Sequence, residues 1–402
     1  MSPATRTDLA AQARSLQPRT VALRRAIHRR PEIGLDLPTT RDAVLDALAD
    51  LPLQVHRGAG VSSVVAVLDG ARSGPTVLLR GDMDALPLQE DTGLAFASEI
   101  DGRMHACGHD THVAMLASAA RVLALRRDEL AGRVLFMFQP GEEGFHGARH
   151  MIDEGLLDRT GPAGRPEWAF ALHISATLPS GEIHGRPGPL MAAADTIRIT
   201  VRGRGGHASA PQDALDPVPA AAAMVGALQT ALGRTVGAHD PTVLTITHIT
   251  AGTTHNVIPE TALMEGTIRT LAEPVRIQVR ELVRRVCRHT ALAHGCTAEI
   301  VIEPGYPVTV NDADAAARVD TVAGRVLGPS KVAPMPTPIM GAEDFSYVLE
   351  QIPGALAFLG GCPPGTAAAA AAPNHSNRVV FDEHAMAAGV AVYAGLALDC
   401  LS

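Results

Sequence analysis

The stretch Arg133-Val-Leu-Phe-Met-Phe138 is apolar throughout after its arginine. An apolar run without alternation is typical of a strand buried on both faces, as in a parallel sheet. Thr76–Arg80 and Trp168–Leu172 have the same character, and the alanine- and leucine-rich segment Val113–Arg126 predicts a helix between the first two strands. Strands that alternate with helices predict an α/β domain with a doubly wound, mostly parallel sheet.

The middle of the chain has a different pattern, with strands that alternate polar and apolar residues. The predicted elements are a strand at Asp195–Val201, a helix opened by Asp216-Pro217, strands at Val243–Ile249 and Ala262–Arg269, a helix at Pro274–His294, and a strand at Ala298–Ile302. The order β-α-β-β-α-β is the split pattern of a ferredoxin-like domain. We therefore expect residues 191–304 to form an inserted lid and dimerisation domain, and residues 1–190 with 305–402 to form the main domain.

Composition excludes several classes of protein. The chain has 402 residues and a formal net charge of −8, so it lacks the basic surface of a nucleic-acid-binding protein. No segment approaches the roughly 18 apolar residues of a membrane span, and Met1–Pro18 lacks the apolar core of a signal peptide. The five cysteines form no C-x-x-C pair, which indicates reduced thiols and a cytoplasmic location.

Chemistry-bearing side chains follow each of the three apolar strands. Asp82 and Asp84 follow the first strand, Glu142 and Glu143 follow the second, and His173 follows the third. In open α/β sheets, ligands bind beyond the carboxyl ends of the strands. The three strand ends therefore predict one shared site, in which one glutamate of the pair can bind a metal while the other acts as a base.

Cys107 and His109 lie on either side of Gly108, just before the predicted helix at Val113. The glycine lets both side chains point to one centre, and imidazole and thiolate are common metal ligands. A simple turn at a helix N-terminus is one alternative. Another is that Cys107 is a nucleophile activated by the helix dipole. The neighbouring carboxylates argue against the nucleophile, because they raise the pKa of a thiol unless a cation lies among them.

Eight short segments occur in a specific order along nearly the whole chain. They are Arg80-Gly-Asp-Met-Asp-Ala-Leu-Pro87, Met104-His-Ala-Cys-Gly-His-Asp110, Phe138-Gln-Pro-Gly-Glu-Glu-Gly144, Leu172-His173, Gly205-Gly-His-Ala-Ser-Ala-Pro211, Asn256-Val-Ile-Pro259, Gly266-Thr-Ile-Arg269 and Gly341-Ala-Glu-Asp-Phe-Ser346. This ordered set resembles the di-metal aminoacylase–carboxypeptidase family of metallopeptidases, in its amidohydrolase branch. That branch includes hippurate hydrolases and hydrolases of auxin–amino acid conjugates.

The resemblance implies a role for individual residues of the main domain. The implied metal ligands are Cys107, His109, Glu143, His173 and His375. Glu142 is the implied general base, and Asp84 is implied to orient a ligand. Other branches have a metal-binding histidine where Asp82 stands, so Asp82 is left unassigned. His375 follows the alanine-rich segment Thr366–Pro373, for which we expect a flexible loop, with a short helix as the alternative.

The resemblance also implies roles for three residues of the inserted domain. His207 is implied to bind substrate and to stabilise the developing oxyanion, while Asn256 and Arg269 are implied to hold the substrate carboxylate. Arginine suits this task because its planar fork binds both carboxylate oxygens. We also expect a homodimer through the lid, with His207 reaching into the partner's site.

We therefore expect a cytoplasmic, metal-dependent amidohydrolase that cleaves the amide bond of small N-acyl amino acids by metal-activated water, with Glu142 as base. Two divalent ions per subunit are expected, Zn²⁺ or Mn²⁺ first, with Co²⁺ and Ni²⁺ also compatible with Cys, His and Glu ligands. A metallocarboxypeptidase or dipeptidase on the same site is one alternative. A catalytically silent metal- or amino-acid-binding protein is another. Nucleic acid and membrane partners are not expected.

Overall fold

The computed structural model describes residues 3–159 and 164–402, with side chains from Leu9 onward in the first helix. The chain divides into two compact units. The larger comprises the chain up to Leu190, Val310–Thr337 and Asp344–Ser402, and the smaller comprises Met191–Thr309 and Pro338–Glu343. The sequence analysis drew the second boundary at 304. Its assignment of the units as a catalytic domain and a lid stays a prediction.

The larger unit is built on an eight-stranded sheet. Its strands are β1 Gln54–Arg57, β2 Val64–Asp69, β3 Arg72–Asp82, β4 Ala131–Gln139, β5 Trp168–Ser175, β6 Ile183–Gly185, β15 Val332–Pro334 and β16 Gly354–Gly360. They are arranged in the order β1-β2-β4-β3-β5-β16-β6-β15. The four central strands β4, β3, β5 and β16 are parallel, while β1, β2 and the β16–β6 pair are antiparallel. The expected α/β fold with a mostly parallel sheet is confirmed.

Helices cover this sheet. They are α1 Pro3–His28, α2 Pro38–Leu48, α3 His109–Leu125, α4 Gly147–Asp153, α7 Ala313–Leu327, α8 Ser346–Leu349 and α9 Met386–Cys400. Helix α3 packs against α1, α9 and β3 and is buried over almost its whole length. Its many alanines leave room for the close approach of these neighbours, so the helix that begins at His109 is fixed in the core of the unit.

The smaller unit has a four-stranded antiparallel sheet and two helices. In chain order they are β8 Ala193–Arg202, α5 Pro217–Thr235, β10 Thr242–Ala251, β12 Thr261–Thr270, α6 Glu273–Ala293 and β13 Thr297–Pro304. The sheet order β10-β12-β8-β13 with this β-α-β-β-α-β sequence is a ferredoxin-like topology. The carboxylate of Asp216 caps α5 by accepting the Val218 N–H at 2.9 Å. Gly295, at φ +72°, follows the end of α6.

Four short strands complete the described fold. The smaller unit contains the pair β9 Gly206–His207 and β11 Val257–Ile258, and β7 Gly188–Met191 and β14 Thr309–Asn311 lie where the chain passes between units. None of the helices in the described part of the chain combines the length and apolar character needed to cross a bilayer.

Three local features differ from the sequence-based expectation. Helix α3 begins at His109 and not at Val113, because Gly108 adopts the left-handed N-cap conformation at φ +89°. Strand β5 continues to Ser175, so His173 lies within the strand and not after it. The alanine-rich segment forms a short 3-10 turn at Ala368–Ala370.

Candidate metal centre

The Cys107–His109 turn depends on the glycine at its centre. A Cβ atom on Gly108 would lie 2.4 Å from Cγ2 of Ile174, in addition to the unfavourable φ of +89°. Only glycine therefore lets the turn approach β5 this closely. The turn brings Cys107 Sγ to 3.4 Å from Nε2 of His173, and places His109 in the first turn of α3.

Asp84 holds Glu142 and Glu143 in place through the backbone N–H groups of these two residues. Its two carboxylate oxygens accept the N–H groups of Glu142 and Glu143, each at 2.9 Å. Its carbonyl oxygen accepts a hydrogen bond from Nδ1 of His109 at 2.9 Å. The contacts of Asp84 thus tie the Glu142-Glu143 turn to the His109 ring. The carboxylate contacts the backbone of the pair, and the carbonyl contacts the implied ligand His109.

The five implied ligands fall into two groups that share Cys107. Cys107, His109 and His173 have ligand atoms within 4.8 Å of one another, and so do Cys107, Glu143 and His375. Nε2 of His375 lies 3.2 Å from Cys107 Sγ and 3.2 Å from Glu143 Oε1. Two overlapping groups with one common sulfur are the arrangement expected of a dinuclear site.

The orientation of the histidines fits metal binding. Nδ1 of His109 and Nδ1 of His173 donate to the carbonyls of Asp84 and Ile174, so the Nε2 lone pairs are free to bind an ion. His109 Nε2 is buried and has no hydrogen-bond partner among the described residues. Its nearest carboxylate oxygens lie 3.5 Å away on Asp82 and 3.9 Å away on Glu143. An unpaired buried nitrogen is costly, and a divalent cation would satisfy it.

The surroundings of Cys107 do not favour a free thiolate nucleophile. Burial, followed by the Glu143 carboxylate, raises the pKa of the Cys107 thiol above its usual value. His109 and His375 oppose this shift of the Cys107 pKa but do not outweigh it. A thiol with these neighbours ionises when a cation stabilises the thiolate, as in a metal site.

His375 occupies the most exposed position among the implied ligands. Its side chain is 54% exposed and its backbone is left-handed at φ +68°. The preceding Asn374 fixes the loop, because its amide donates to the carbonyls of Cys107 at 3.0 Å and Ile174 at 2.9 Å. Its Oδ1 accepts the N–H of Ala176 at 3.1 Å. The sequence analysis did not identify Asn374, although it directly precedes His375.

Asp82 and His112 form a hydrogen bond with each other and do not point their polar atoms at a metal position. Nδ1 of His112 lies 2.5 Å from Oδ1 of Asp82, and Nε2 accepts the N–H of Ile174 at 2.8 Å. Both nitrogens of His112 are therefore used. Asp82 Oδ2 also pairs with Arg80 at 2.6 Å. Although these residues and His109 are close enough to form a metal-binding group, His112 has no lone pair left to offer.

A buried polar network supports the Glu142 side. Arg80 donates to Gln139 at 2.9 Å and pairs with Asp344 at 3.2 Å, and Gln139 donates to Asp344 at 2.7 Å. The N–H of Asp344 lies 3.4 Å from Oε1 of Glu142. The sequence analysis quoted Arg80, Gln139 and Asp344 only as parts of motifs and gave none of them an individual role. The sequence did contain a signal for Arg80 and Gln139, because each is a polar residue at the end of an apolar run within its strand.

The three implied substrate-binding residues belong to the smaller unit. His207 on β9 pairs with Val257 of β11, and the carbonyl of Asn256 accepts the Ala208 N–H at 3.1 Å. His207 and Asn256 are thus neighbours in one exposed turn. Nδ1 of His207 accepts hydrogen bonds from the backbone and hydroxyl of Ser209.

Arg269 lies on β12, apart from that turn. Its guanidinium donates to the carbonyl of Ile268 at 3.1 Å and to Thr267, and it forms no ion pair among the described residues. The carboxylate of Asp195 is already bound by Arg276 and Arg280. Burial lowers the pKa of the Arg269 guanidinium, and the Asp195 carboxylate opposes this shift. A half-buried guanidinium without a carboxylate partner is suited to bind an anion.

Comparison with known proteins identifies the family of this chain. The model of peptidase family M20/M25/M40 matches residues 78–399. Thermostable carboxypeptidase 1 of Saccharolobus solfataricus is 37% identical over 395 residues, which cover 96% of each chain. N-acetylcysteine deacetylase of Bacillus subtilis is 37% identical over 343 residues, covering 85% of this chain and 88% of the relative.

One of the similar proteins of known structure is described as binding two metal ions. The Bacillus subtilis YXEP protein, a dinuclear metal-binding peptidase of the M20 family, is 33% identical and superposes with a TM-score of 0.82. The alignment covers 96% of this chain and 99% of that one. The resemblance drawn from the eight motifs is confirmed. The chain belongs to peptidase family M20/M25/M40, as a metal-dependent amidohydrolase.

Proposed function

We propose that this amidohydrolase cleaves the amide bond of small N-acyl amino acids, with two divalent ions per subunit and Glu142 as general base. The observation that carries the proposal is the pair of ligand groups that share Cys107, with Glu142 beside them. Ligand atoms of His109, Glu142 and Glu143 also lie within 4.8 Å of one another. A base next to the ligands is what hydrolysis requires and what simple metal storage does not.

Cys107, His109, Glu143, His173 and His375 would hold the ions, which supply Lewis acidity and lower the pKa of water when bound. Zn²⁺ and Mn²⁺ are our first choices, and Co²⁺ and Ni²⁺ suit the same donors. All five cysteines are free, which favours a reducing compartment, and we include a cytoplasmic location in the proposal.

Glu142 takes the proton of the attacking water and delivers it to the leaving amine. Its side chain is buried. The Asp84 carboxylate accepts the backbone N–H of Glu142 at 2.9 Å, and the backbone N–H of Asp344 lies 3.4 Å from Glu142 Oε1. A base that is held in place loses little entropy on reaching the transition state. His207 would stabilise the oxyanion, because an imidazole N–H can donate to the developing charge.

The substrate class follows from Arg269 and the relatives. Arg269 and Asn256 would bind the free carboxylate of an amino acid, since the part of the chain that the structure describes provides no carboxylate partner for Arg269. One similar enzyme is a deacetylase of N-acetylcysteine and another is a carboxypeptidase. Both names imply an amide next to a free carboxylate, so the carboxypeptidase or dipeptidase reading stays the second candidate.

A substrate panel tests the proposal. Protein with measured metal content is assayed for amine release from N-acetyl amino acids, N-benzoyl amino acids and dipeptides, before and after chelation. We expect the N-acyl amino acids to have the highest kcat/KM, and activity to disappear on chelation and return with metal. Faster cleavage of dipeptides would favour the second candidate. No turnover on any substrate by fully loaded protein would support a silent binding protein.

We further propose a homodimer formed through the smaller unit, with His207 acting in the partner's site. Strand β10 is an outer strand of its sheet and exposes Val243 and Ile249, and long open edges are usually covered. Mixing Glu142→Gln with His207→Ala under subunit exchange tests this arrangement. Random pairing makes about half the dimers mixed, so roughly a quarter of the sites should recover. Efficient exchange without recovery excludes action in trans, and a monomer by light scattering excludes the dimer.

A further inference from the structure

Asp82 and His112 have no part in the proposed reaction, yet both are fully buried next to its implied ligands. A buried carboxylate and a buried imidazole are costly unless each polar atom is used. His112 lies one helical turn after His109, and Asp82 ends β3. Their contacts indicate what they do for the site.

The tautomer of His112 is fixed by its neighbours. The N–H of Ile174 can only donate, so Nε2 of His112, 2.8 Å away, carries no proton. The ring proton is therefore on Nδ1, which donates to Asp82 at 2.5 Å. Asp82 is itself held by Arg80. His112 is a fixed link between the end of β3 and the backbone of β5.

The backbone of Ile174 connects this link to two implied ligands. Its N–H belongs to the peptide bond that joins it to His173, and its carbonyl accepts Nδ1–H of His173 at 2.8 Å. The same carbonyl accepts the amide of Asn374 at 2.9 Å. Movement of the Ile174 backbone would turn the His173 ring away from Cys107 and release the residue before His375.

Ring packing adds a second constraint. The ring of His112 packs edge-on against that of His173, with centroids 4.8 Å apart and planes at 67°. The centroid of His109 lies 5.4 Å from that of His112. His112 therefore packs against both of these implied ligands while it holds the backbone of one of them.

We propose that His112 is a positioning residue of the metal centre: held by Asp82, it fixes the Ile174 backbone, which orients His173 directly and His375 through Asn374. This inference rests on the proposed dinuclear site. It identifies residues that do not bind the metal themselves but on which the affinity for metal depends. Outer residues of this kind typically change metal affinity about 10–100-fold.

Two substitutions at His112 separate its two hydrogen bonds. Asparagine places an amide N–H near the position of Nδ1 and keeps the bond to Asp82, but is too short to reach Ile174. Glutamine can place its amide oxygen near the position of Nε2 and keep the bond from Ile174. His105→Asn is the matched control, because His105 is equally buried and its ring nitrogens have no hydrogen-bond partner among the described residues.

The experiment measures Co²⁺ binding to the full-length chain by equilibrium dialysis, with the thiolate-to-cobalt absorption band as a second readout. The wild type should bind two ions. We expect His112→Asn to bind at least one ion about 10–100-fold more weakly and to show an altered cobalt spectrum. His112→Gln should retain more affinity than His112→Asn, and His105→Asn should match the wild type.

Thermal unfolding of the metal-free proteins distinguishes positioning from general stability. A lower unfolding temperature of His112→Asn with unchanged Co²⁺ affinity would overturn the inference, and so would an equal loss of affinity in His105→Asn. If His112→Asn does not fold, Asn374→Ala decides: it should weaken Co²⁺ binding, and wild-type affinity would refute the second arm of the link. A wild type that binds no Co²⁺ would refute the proposed metal site itself, and this inference with it.

Discussion

The implied functional residues of the two units are held in different ways. In the larger unit, His109, His173 and the Glu142-Glu143 turn are each fixed by hydrogen bonds to backbone groups or to the buried Asp84 carboxylate. In the smaller unit, the side chains of His207 and Asn256 are exposed and form hydrogen bonds with near neighbours in sequence.

This difference separates the proposed metal ligands and base from the residues proposed to contact the substrate. Metal ligands and a general base must keep their geometry before substrate arrives, because rearrangement would be added to the activation barrier. Residues that bind a carboxylate can become ordered on contact with it, at a cost in affinity and not in the chemical step. Changes at the proposed metal ligands and base should therefore affect kcat, and changes at the proposed carboxylate-binding residues Asn256 and Arg269 should affect mainly KM. His207 is the exception in the smaller unit, because loss of its proposed contact with the oxyanion should lower kcat.

The largest effect is expected at Glu142. Glu142→Gln keeps the size of the side chain and an oxygen that can accept the Asp344 N–H, but it removes the base. We expect kcat to fall by about 10²–10⁴-fold while metal content and unfolding temperature stay near those of the wild type. Stopped-time assays on metal-analysed protein measure this. Near-normal kcat would show that another group is the base.

Glu154→Gln is the matched control for the loss of a carboxylate. Glu154 accepts backbone N–H groups of Ala59 and Gly60, much as Asp84 accepts those of the acidic pair. Unlike Glu142, it belongs to none of the candidate metal-binding groups formed by the described residues. Its substitution should change stability more than turnover. Comparing the two variants tests whether turnover depends on a carboxylate at the position of Glu142 or on the loss of any buried or partly buried negative charge.

The sequence predicted the fold well where apolar residues form a continuous run or alternate with polar residues. The apolar run before Glu142 marks β4, and the alternation of Asp195–Val201 marks β8. The predicted start of α3 was wrong, because the positive φ at Gly108 that sets the true start leaves no periodic signal in the sequence. The apolar pattern becomes helical only after Asp110, whereas the hydrogen bonding of the helix starts at His109.

The candidate site was predicted from motifs that place several residues within a few positions. Contacts between distant residues were not predictable in this way. His112 and Asp82 are 30 positions apart, and Asn374 reaches Cys107 across 267 positions. Their partners are a carboxylate in one case and backbone carbonyls in the other, and backbone atoms carry no side-chain signal in a sequence.

The second prediction concerns the thiolate that the two ligand groups share. Cys107→Ser replaces it with a hydroxyl, a poor metal ligand, so we expect loss of bound metal and of activity. Cys287→Ser is the control, because Cys287 is also buried, in the core of the smaller unit. It should lower stability and leave metal content unchanged. Metal analysis after dialysis checks both, and full metal retention by Cys107→Ser would exclude Cys107 as a ligand.

The third prediction tests the smaller unit. Arg269→Ala should lower kcat/KM on N-acyl amino acids on the order of 10²-fold, mainly through KM, since it removes a charge-assisted contact. Substrates whose carboxylate is converted to an amide should lose a similar factor with the wild type and little more with the variant. Arg198→Ala, which removes an exposed arginine paired with Glu265, is the control. Equal kcat/KM for acid and amide substrates would contradict the assignment.

The smallest effect on activity is expected from the charges that hold the start of α3. Asp110, next to His109, accepts hydrogen bonds from Arg24 at 2.9 Å and His28 at 2.8 Å. Burial opposes the charged form of His28, but Asp110 and Glu90 outweigh it and raise the pKa of His28 to about 9. Protonated His28 therefore belongs to the folded state over a wide range of pH.

The pH dependence of stability follows from this raised pKa. Below about pH 6.5, the usual histidine pKa, both states carry the proton and its contribution is complete. Between pH 6.5 and about 9 only the folded state keeps the proton, so the free energy of unfolding falls as pH rises, by at most about 3 kcal/mol. Urea unfolding at pH 6 and pH 9.5 should show a smaller loss for His28→Gln than for the wild type. Taking the difference between the two proteins cancels the other groups that titrate in this range. Equal losses would show that His28 gains no proton on folding, and that it holds Asp110 only through the N–H of a neutral ring.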